Sequence, residues 1–376
     1  MKAPAYAIAR TVAPRVKQYL DTHRGATGPG DGAPDPDIEA IEAIVDAAFW
    51  ASLQREEGDS PRISLAFLPP EIPAVRLTLE RSLPLDPESL ARLAPAVERP
   101  GIHLGVWQEE TGLRVWGAMR TLPPSCFVLE VVSPGLLVIK HSRGPEVGKF
   151  ANIAVLEGNQ IKMLDPNAAR RPGIPGLLKS LLELDAFPSS TGPGDVMVRL
   201  AISMRGHGHG GALLVVPASG DAWRSSIAWP VRYAVVPPFS RLAELMRIPP
   251  DRREHPGWHE ALRLAIDGIA GMTAVDGATV MTDQYEVLAF GAMIGRRDHR
   301  KQVEEVLLNE PVENDVPRAV APSQLGGTRH QSAAQFVRDQ RDTVALVASE
   351  DGRFSLFAWL KEREMVQVYR LDALLL

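Results

Sequence analysis

Cysteine is almost missing from this chain. Its single thiol, Cys126, excludes an internal disulfide and fits a reducing compartment. No apolar run reaches the length of a membrane span. Arg10, Arg15 and Lys17 interrupt the apolar residues near the start, which makes a poor signal peptide. The expectation is a soluble, cytoplasmic protein that does not enter a membrane. An excess of positive charge is missing too. A net charge of -5 argues against a general nucleic-acid surface, which needs a basic face. It leaves open a local basic pocket for one phosphate group.

What is present suits an ordered globular protein. Apolar residues make up 45% of 376 positions, enough for two cores or one large one. Residues 3–22 read as an amphipathic helix, with Ile8, Val12, Val16 and Leu20 on one face. A Gly, Pro and Asp cluster follows at Gly25–Pro36. A helix from Asp37 to Arg55 carries Ile41, Ile44, Val45, Ala48, Phe49 and Ser52 at helical spacing, which reads as a core helix. Arg62–Phe67 is a strand and Asp86–Val97 a helix. Gly101–Leu122 is a hairpin turning at Glu109–Gly112. Cys126–Val132, Leu136–Lys140, Phe150–Leu156 and Gln160–Leu164 are further strands. Asp165–Gly176 reads as a loop, Leu177–Leu184 as a short helix and Pro188–Gly194 as a linker. Asp195 is a candidate N-cap for a helix to Met204. Ala212–Val216 is a strand. Leu242–Ile248 and Trp258–Met272 are helices. The last hairpin spans Thr343–Trp359, with a strong turn signal at Asp351-Gly352.

These elements predict an α/β fold, a mixed central sheet flanked by helices, preceded by a β-rich α/β N-terminal domain. The boundaries read as a helix and linker over 1–36, the N-terminal domain over 37–172, a connector over 173–194 and a second domain over 195–376. Ile102–Met119 aligns without gaps to Asp276–Met293, matching Val106 with Val280 and Gly117-Ala118-Met119 with Gly291-Ala292-Met293. One reading is a degenerate internal copy that carries Ile102 where the other has Asp276. The alternative is two unrelated hairpins of similar alternation.

Chemistry concentrates in four short motifs. Asp276-Gly277-Ala278 puts an acid on a glycine corner, suited to a metal or a ribose hydroxyl, or simply to a turn. Gly327-Thr328-Arg329-His330-Gln331 opens a helix, where orphan N–H groups and a guanidinium fork favour phosphate. Ser349-Glu350 ends a strand. Gly211-Ala212-Leu213 begins one, where a backbone can approach a ligand closely. His207 and His209 precede it in a glycine loop. They suit a metal poorly without further ligands, and suit stacking or hydrogen bonding better.

In this order the four motifs resemble the nucleotide-binding domain of the diadenylate cyclases, over roughly Asp195–Leu360. The resemblance implies that Asp276 serves a divalent Mg or Mn ion and the attacking 3′-hydroxyl. It implies that Thr328, Arg329 and His330 contact phosphates, with Gly211, Ala212 and Leu213 at the adenine. In the cyclases a second arginine follows the histidine. Here it is Gln331, which keeps hydrogen bonding and lacks charge. Ala274-Val275 replaces the Leu-His pair that often precedes the acid. Ala47–Leu53 with Glu56-Glu57-Gly58, and Arg205–Pro217, are similar to DACNV, a bacterial group of cyclase-like sensor proteins. Two functions follow. One is a sensor that binds an adenine nucleotide or cyclic dinucleotide and signals to a separate effector protein. The other is an active cyclase, with Asp276, Arg329 and His330 catalytic, which needs two copies face to face. A scaffold with a decayed site is the blander third reading.

Overall fold

The computed structural model describes residues 5–23, 33–55, 60–73, 75–99, 101–142, 150–165, 168, 193–253, 255–295 and 301–376. The predicted helix at Leu177–Leu184 and most of the predicted linkers lie outside them. The chain divides into two compact units, the first running to Leu164 and the second from Asp165 to Leu375.

The first unit opens with α1 (Ala7–His23) and α2 (Ile38–Ser52). Asp37 caps α2 by accepting from the Ala40 N–H at 2.7 Å, and Ile41, Ile44, Val45 and Ala48 are fully buried. After β1 (Ile63–Phe67) and β2 (Arg76–Pro84) comes α3 (Pro87–Val97). Asp86 caps α3 through the Ser89 N–H at 2.8 Å, and Pro87 stands where no amide is needed. The strands β3 (His103–Glu109), β4 (Gly112–Met119), β5 (Phe127–Ser133), β6 (Leu136–Ser142), β7 (Phe150–Glu157) and β8 (Gln160–Met163) complete a sheet. Its order is β2-β4-β3-β1-β5-β6-β7-β8.

The second unit runs α4 (Pro193–Gly206), β9 (Gly211–Val216), β10 (Tyr233–Phe239), α5 (Arg241–Arg247), α6 (Pro256–Thr273), β11 (Ala278–Thr282) and β12 (Val287–Ala292). It continues through β13 (Val306–Asn309), β14 (Arg318–Val320), α7 (Thr328–Asp339), β15 (Val344–Ala348), β16 (Phe354–Leu360) and β17 (Met365–Arg370). Successive β9 residues feed opposite faces of the sheet. Leu213 packs with Val196 and Leu200 of α4 and Leu262 and Ile266 of α6. Ala212 and Leu214 pack with Ala333, Phe336 and Val337 of α7. The result is three layers, with α7 the one α-helix on its side among the described residues of this unit.

The α/β class and the β-rich first half stand as read. One boundary is corrected: α4 begins at Pro193, so Asp195 lies inside its first turn and is not its N-cap. Several strands escaped the sequence reading. β2 and β10 are largely exposed edge strands, with Leu77 and Val236 facing solvent, so apolar alternation does not mark them. β13 and β14 are too short to show a period.

The second sheet is ordered β10-β12-β11-β9-β15-β16-β17-β13-β14. Its first seven strands repeat the first seven of the other sheet, position for position. The parallel pair is β1 with β3 in one and β9 with β11 in the other. Register agrees as well. Leu104 pairs with Ala118 and Val106 with Val115, while Ala278 pairs with Ala292 and Val280 with Ala289. Each second pair is the one the ungapped alignment assigns to the first, and the register shift between the pairs recurs. A helix precedes each member of both parallel pairs, α2 and α3 in one unit and α4 and α6 in the other. Two chance hairpins would not share strand order, pairing direction and bulge position, so the chain contains an internal repeat of one topology.

Candidate functional site

The four motifs converge on one end of the second sheet. β9 and β11 are parallel, so Gly211 and the Asp276-Gly277 corner lie at the same end. β15 runs antiparallel to β9 and pairs Ala348 with Gly211, which brings Ser349 and Glu350 to that end too. α7 starts there. A Cβ built on Gly210 would lie 3.0 Å from an Arg329 guanidinium nitrogen, 3.3 Å from the Ala348 carbonyl oxygen and 3.3 Å from Glu350 Cγ. The φ of Gly210 is +65°, so glycine supplies both the conformation and the room. Gly211 is equally confined, because a Cβ there would stand 2.6 Å from the Thr273 carbonyl oxygen. At Gly277, with φ +103°, a Cβ would meet the Gly291 carbonyl carbon at 2.6 Å.

Arg329 is half-buried. It faces Glu350 Oε1 at 3.6 Å, and Glu350 is largely exposed. Such a pair contributes about 1 kcal/mol at most, so the guanidinium is readily recruited by a stronger anion. The N-cap of α7 is Gly327, with no side-chain cap, and no acidic residue follows in the first turn. Thr328 and Asp276 are exposed and Gln331 is half-buried. Ser349 opens the tight turn to Gly352, donating its N–H to the Arg353 carbonyl oxygen at 2.8 Å.

His330 lies differently from its neighbours in the motif. It is 1% exposed, packs edge-on to Phe357, and its Nε2 has no hydrogen-bond partner. Gly326 permits this, since a Cβ there would stand 2.6 Å from His330 Nδ1. Burial pushes the His330 pKa down to about 4, against an opposing pull from Asp351. The ring is therefore neutral near pH 7, and it offers a buried polar atom and no charge.

Both ring nitrogens of His207 are engaged. Nδ1 accepts from the His209 N–H at 3.1 Å. Nε2 sits 3.2 Å from Thr273 Oγ1, which itself donates to the Ala270 carbonyl. That chain places the ring proton on Nε2. Burial and the neighbouring His209 ring lower the His207 pKa. Among the described residues there is no group of three His, Cys, Asp or Glu side chains able to hold a metal. Ala212 and Leu213 turn their side chains into the two cores, and their backbone is paired with β11 on one side and β15 on the other, so the structure does not present them at the surface. Thr273 was not read as a site residue. It shows in the sequence only as a helix end, and its place against Gly211 is a tertiary fact.

A comparison with known families bears on the other unit. Residues 31–120 match the family model described as "Probable sensor domain DACNV". The matched segment spans α2 to β4, and it fits a sensor role. No curated protein matches the chain. Within the DACNV-matched segment, the end of the sheet equivalent to the motif cluster is filled. The shared alignment and register put His103 at the place of Gly277 and Ser64 at the place of Gly211. Ser64 Oγ and His103 Nδ1 share a hydrogen bond of 2.8 Å, and both residues are buried. Next to them Lys140 pairs with Glu130 and lies 5.3 Å over the Phe150 ring. Burial pushes the His103 pKa to about 4, with Glu130 opposing and Lys140 adding to the shift. Nor is there a counterpart of α7 among the described residues of the first unit. Residues 120–126 join β4 to β5, whereas 293–343 join β12 to β15 and carry β13, β14 and α7.

No helix among the described residues is long and apolar enough to cross a membrane.

Proposed function

We propose that the second unit binds an adenine nucleotide or a cyclic dinucleotide at this sheet end, and that the protein acts as a sensor. The observation that carries the reading is Arg329. It stands at the uncapped N-terminus of a 12-residue helix, over a glycine corner, with a weakly held exposed glutamate as its partner. Helix N–H groups and a guanidinium fork suit a phosphate there. A bound phosphate would displace Glu350 from Arg329, while the buried ring of His330 would support the start of α7 from inside. Thr328, Gln331 and Ser349 would add polar contacts, with Gly211 at the strand end beside them. The DACNV match supports the sensor half of the reading. A sensor of this kind passes occupancy to a separate effector protein or to a second copy of the chain.

Asp276 supports a second reading, a diadenylate cyclase. It is an exposed carboxylate at the same end as Arg329. A Mg or Mn ion there would have Asp276 as its protein ligand and would take the rest of its shell from phosphate and water, as Mg commonly does. Such an ion would neutralise phosphate charge. Gln331 in place of a second cation disfavours catalysis.

Calorimetry with ATP and cyclic di-AMP, together with mass spectrometry after incubation with ATP and Mn²⁺, separates the readings. Binding without turnover is the expected result, with affinity lowered at least about tenfold in Arg329→Ala. A cyclic product that disappears in Asp276→Ala establishes the enzyme instead. No binding of either ligand ends both.

A further inference from the structure

One surface beside the motif cluster is not used by any motif. It lies at the same sheet end, on β10 and β12. The Tyr233 ring stacks on Phe290 with centroids 4.8 Å apart and planes 15° from parallel. Tyr233 remains 41% exposed, and Trp229 and Met293 stand exposed alongside at 64% and 57%. The Ala228 N–H donates to the Met293 carbonyl at 2.8 Å, which fixes that neighbourhood.

Two glycines admit the tyrosine. A Cβ on Gly291 would lie 2.7 Å from the Tyr233 ring and 3.4 Å from the Asp276 carbonyl oxygen. Tyr233 and Asp276 thus flank the same residue. The φ of Gly291 is +61°, and its neighbour across the pair is Gly277. The ring therefore lies against bare backbone next to the Asp276 corner.

The repeat supplies an internal control. The counterpart of Phe290 in the first unit is Trp116, which is 4% exposed and donates its indole N–H to the Leu68 carbonyl at 2.7 Å. Its ring folds over Gly105. The unit whose site end is filled keeps its aromatic inside. The unit whose end carries Arg329 and Asp276 turns an aromatic pair outward.

We infer that Tyr233, backed by Phe290, is the platform on which the heterocyclic base of the ligand stacks. This rests on the anion-binding reading of Arg329. From β10 to β9 there are three strand spacings, about 14 Å in all. A nucleotide with an extended phosphate chain spans that distance, base on Tyr233 and distal phosphate under Arg329. Stacking is tolerant of base identity, because every base has a π-face. The platform therefore selects a flat heterocycle rather than one particular base.

The test compares ATP with inorganic tripolyphosphate by calorimetry, on the full chain and on Tyr233→Ala, Tyr233→Phe and Arg329→Ala. Tripolyphosphate has the charge without the base. The expected result is a loss of about 5- to 150-fold in ATP affinity for Tyr233→Ala, the range for removing one stacked base. Tripolyphosphate affinity stays unchanged in that variant, which also shows that it is folded, and Tyr233→Phe restores ATP binding. Arg329→Ala weakens both ligands. If wild-type protein binds ATP and Tyr233→Ala binds it equally well, the platform is wrong while the nucleotide site stands. The platform is equally wrong if Tyr233→Ala loses both ligands alike, or if Tyr233→Phe fails to rescue. If the wild type binds neither ATP nor tripolyphosphate, the anion site fails and the platform with it.

Discussion

The two units share seven strands in one order and differ at one end. In the first, buried Ser64, His103 and Lys140 form a polar cluster with the partly exposed Glu130. In the second, the corresponding positions are Gly211, Gly277, Ala348 and Leu356, and Arg329 and Asp276 stand at the same end. The first end is built on side-chain hydrogen bonds. The second is built on glycines, because backbone conformations and close approaches there leave no room for a Cβ. The first unit differs by more than Ile102 in the place of Asp276. It carries polar side chains where the second has glycines, and only a short link, residues 120–126, where the second presents Thr328, Arg329 and His330.

The largest expected effect breaks the comparison directly. Gly277→Val places a branched side chain at φ +103° against the Gly291 backbone. We expect a loss of about 3 kcal/mol or more in denaturant unfolding, more than any other change below. The equivalent position in the first unit is His103, where substitution to Asn should cost less. If Gly277→Val is neutral, the glycine corner is not a constraint.

Next comes pH. His103 and His330 both have folded pKa values near 4, below the ordinary 6.5. Their neutral burial stabilises the fold fully above pH 6.5, and that stability is lost as pH falls toward 4, since the unfolded chain binds the proton first. The loss is up to about 3 kcal/mol per histidine. Melting temperature against pH should flatten in part in His103→Leu and in part in His330→Leu. An unchanged profile in both variants would show that neither ring is buried neutral.

A smaller effect sharpens the contrast. Lys140→Met removes the partner of Glu130, a carboxylate 41% exposed and able to recover water. We expect about 1 kcal/mol of destabilisation and no change in ATP affinity. Reduced ATP affinity would mean that the two ends are coupled. The smallest effect is Glu350→Gln. The exposed pair with Arg329 contributes less than about 1 kcal/mol, so unfolding should barely move. Affinity for tripolyphosphate should rise slightly, because a competitor for Arg329 is gone. Weaker binding would show that Glu350 helps to orient the guanidinium.

Much of the fold was legible in the residues. Helical spacing located α2 and α6, and the ungapped match of Ile102–Met119 with Asp276–Met293 marked the repeat. Misses fell where local signals are weak. β2 and β10 are exposed edges with prolines. The Asp195 cap fails because the helix has already begun at Pro193. At the site, order along the chain identified the four motifs, and chain order says nothing about Thr273 or Tyr233, which belong to other elements.

What the sequence determined by itself was the alternation that makes strands, the periodicity that makes helices and the positions of glycines that no other residue could fill. These depend on neighbours a few residues apart. Only the tertiary structure decided that β9, β11 and β15 would lie side by side and gather four distant motifs at one end. It also decided that His330 would turn inward and stay neutral, and that Tyr233 would lie beside Asp276. Those outcomes depend on strand order and on contacts across the sheet, where burial and charge are set by residues far away in the chain.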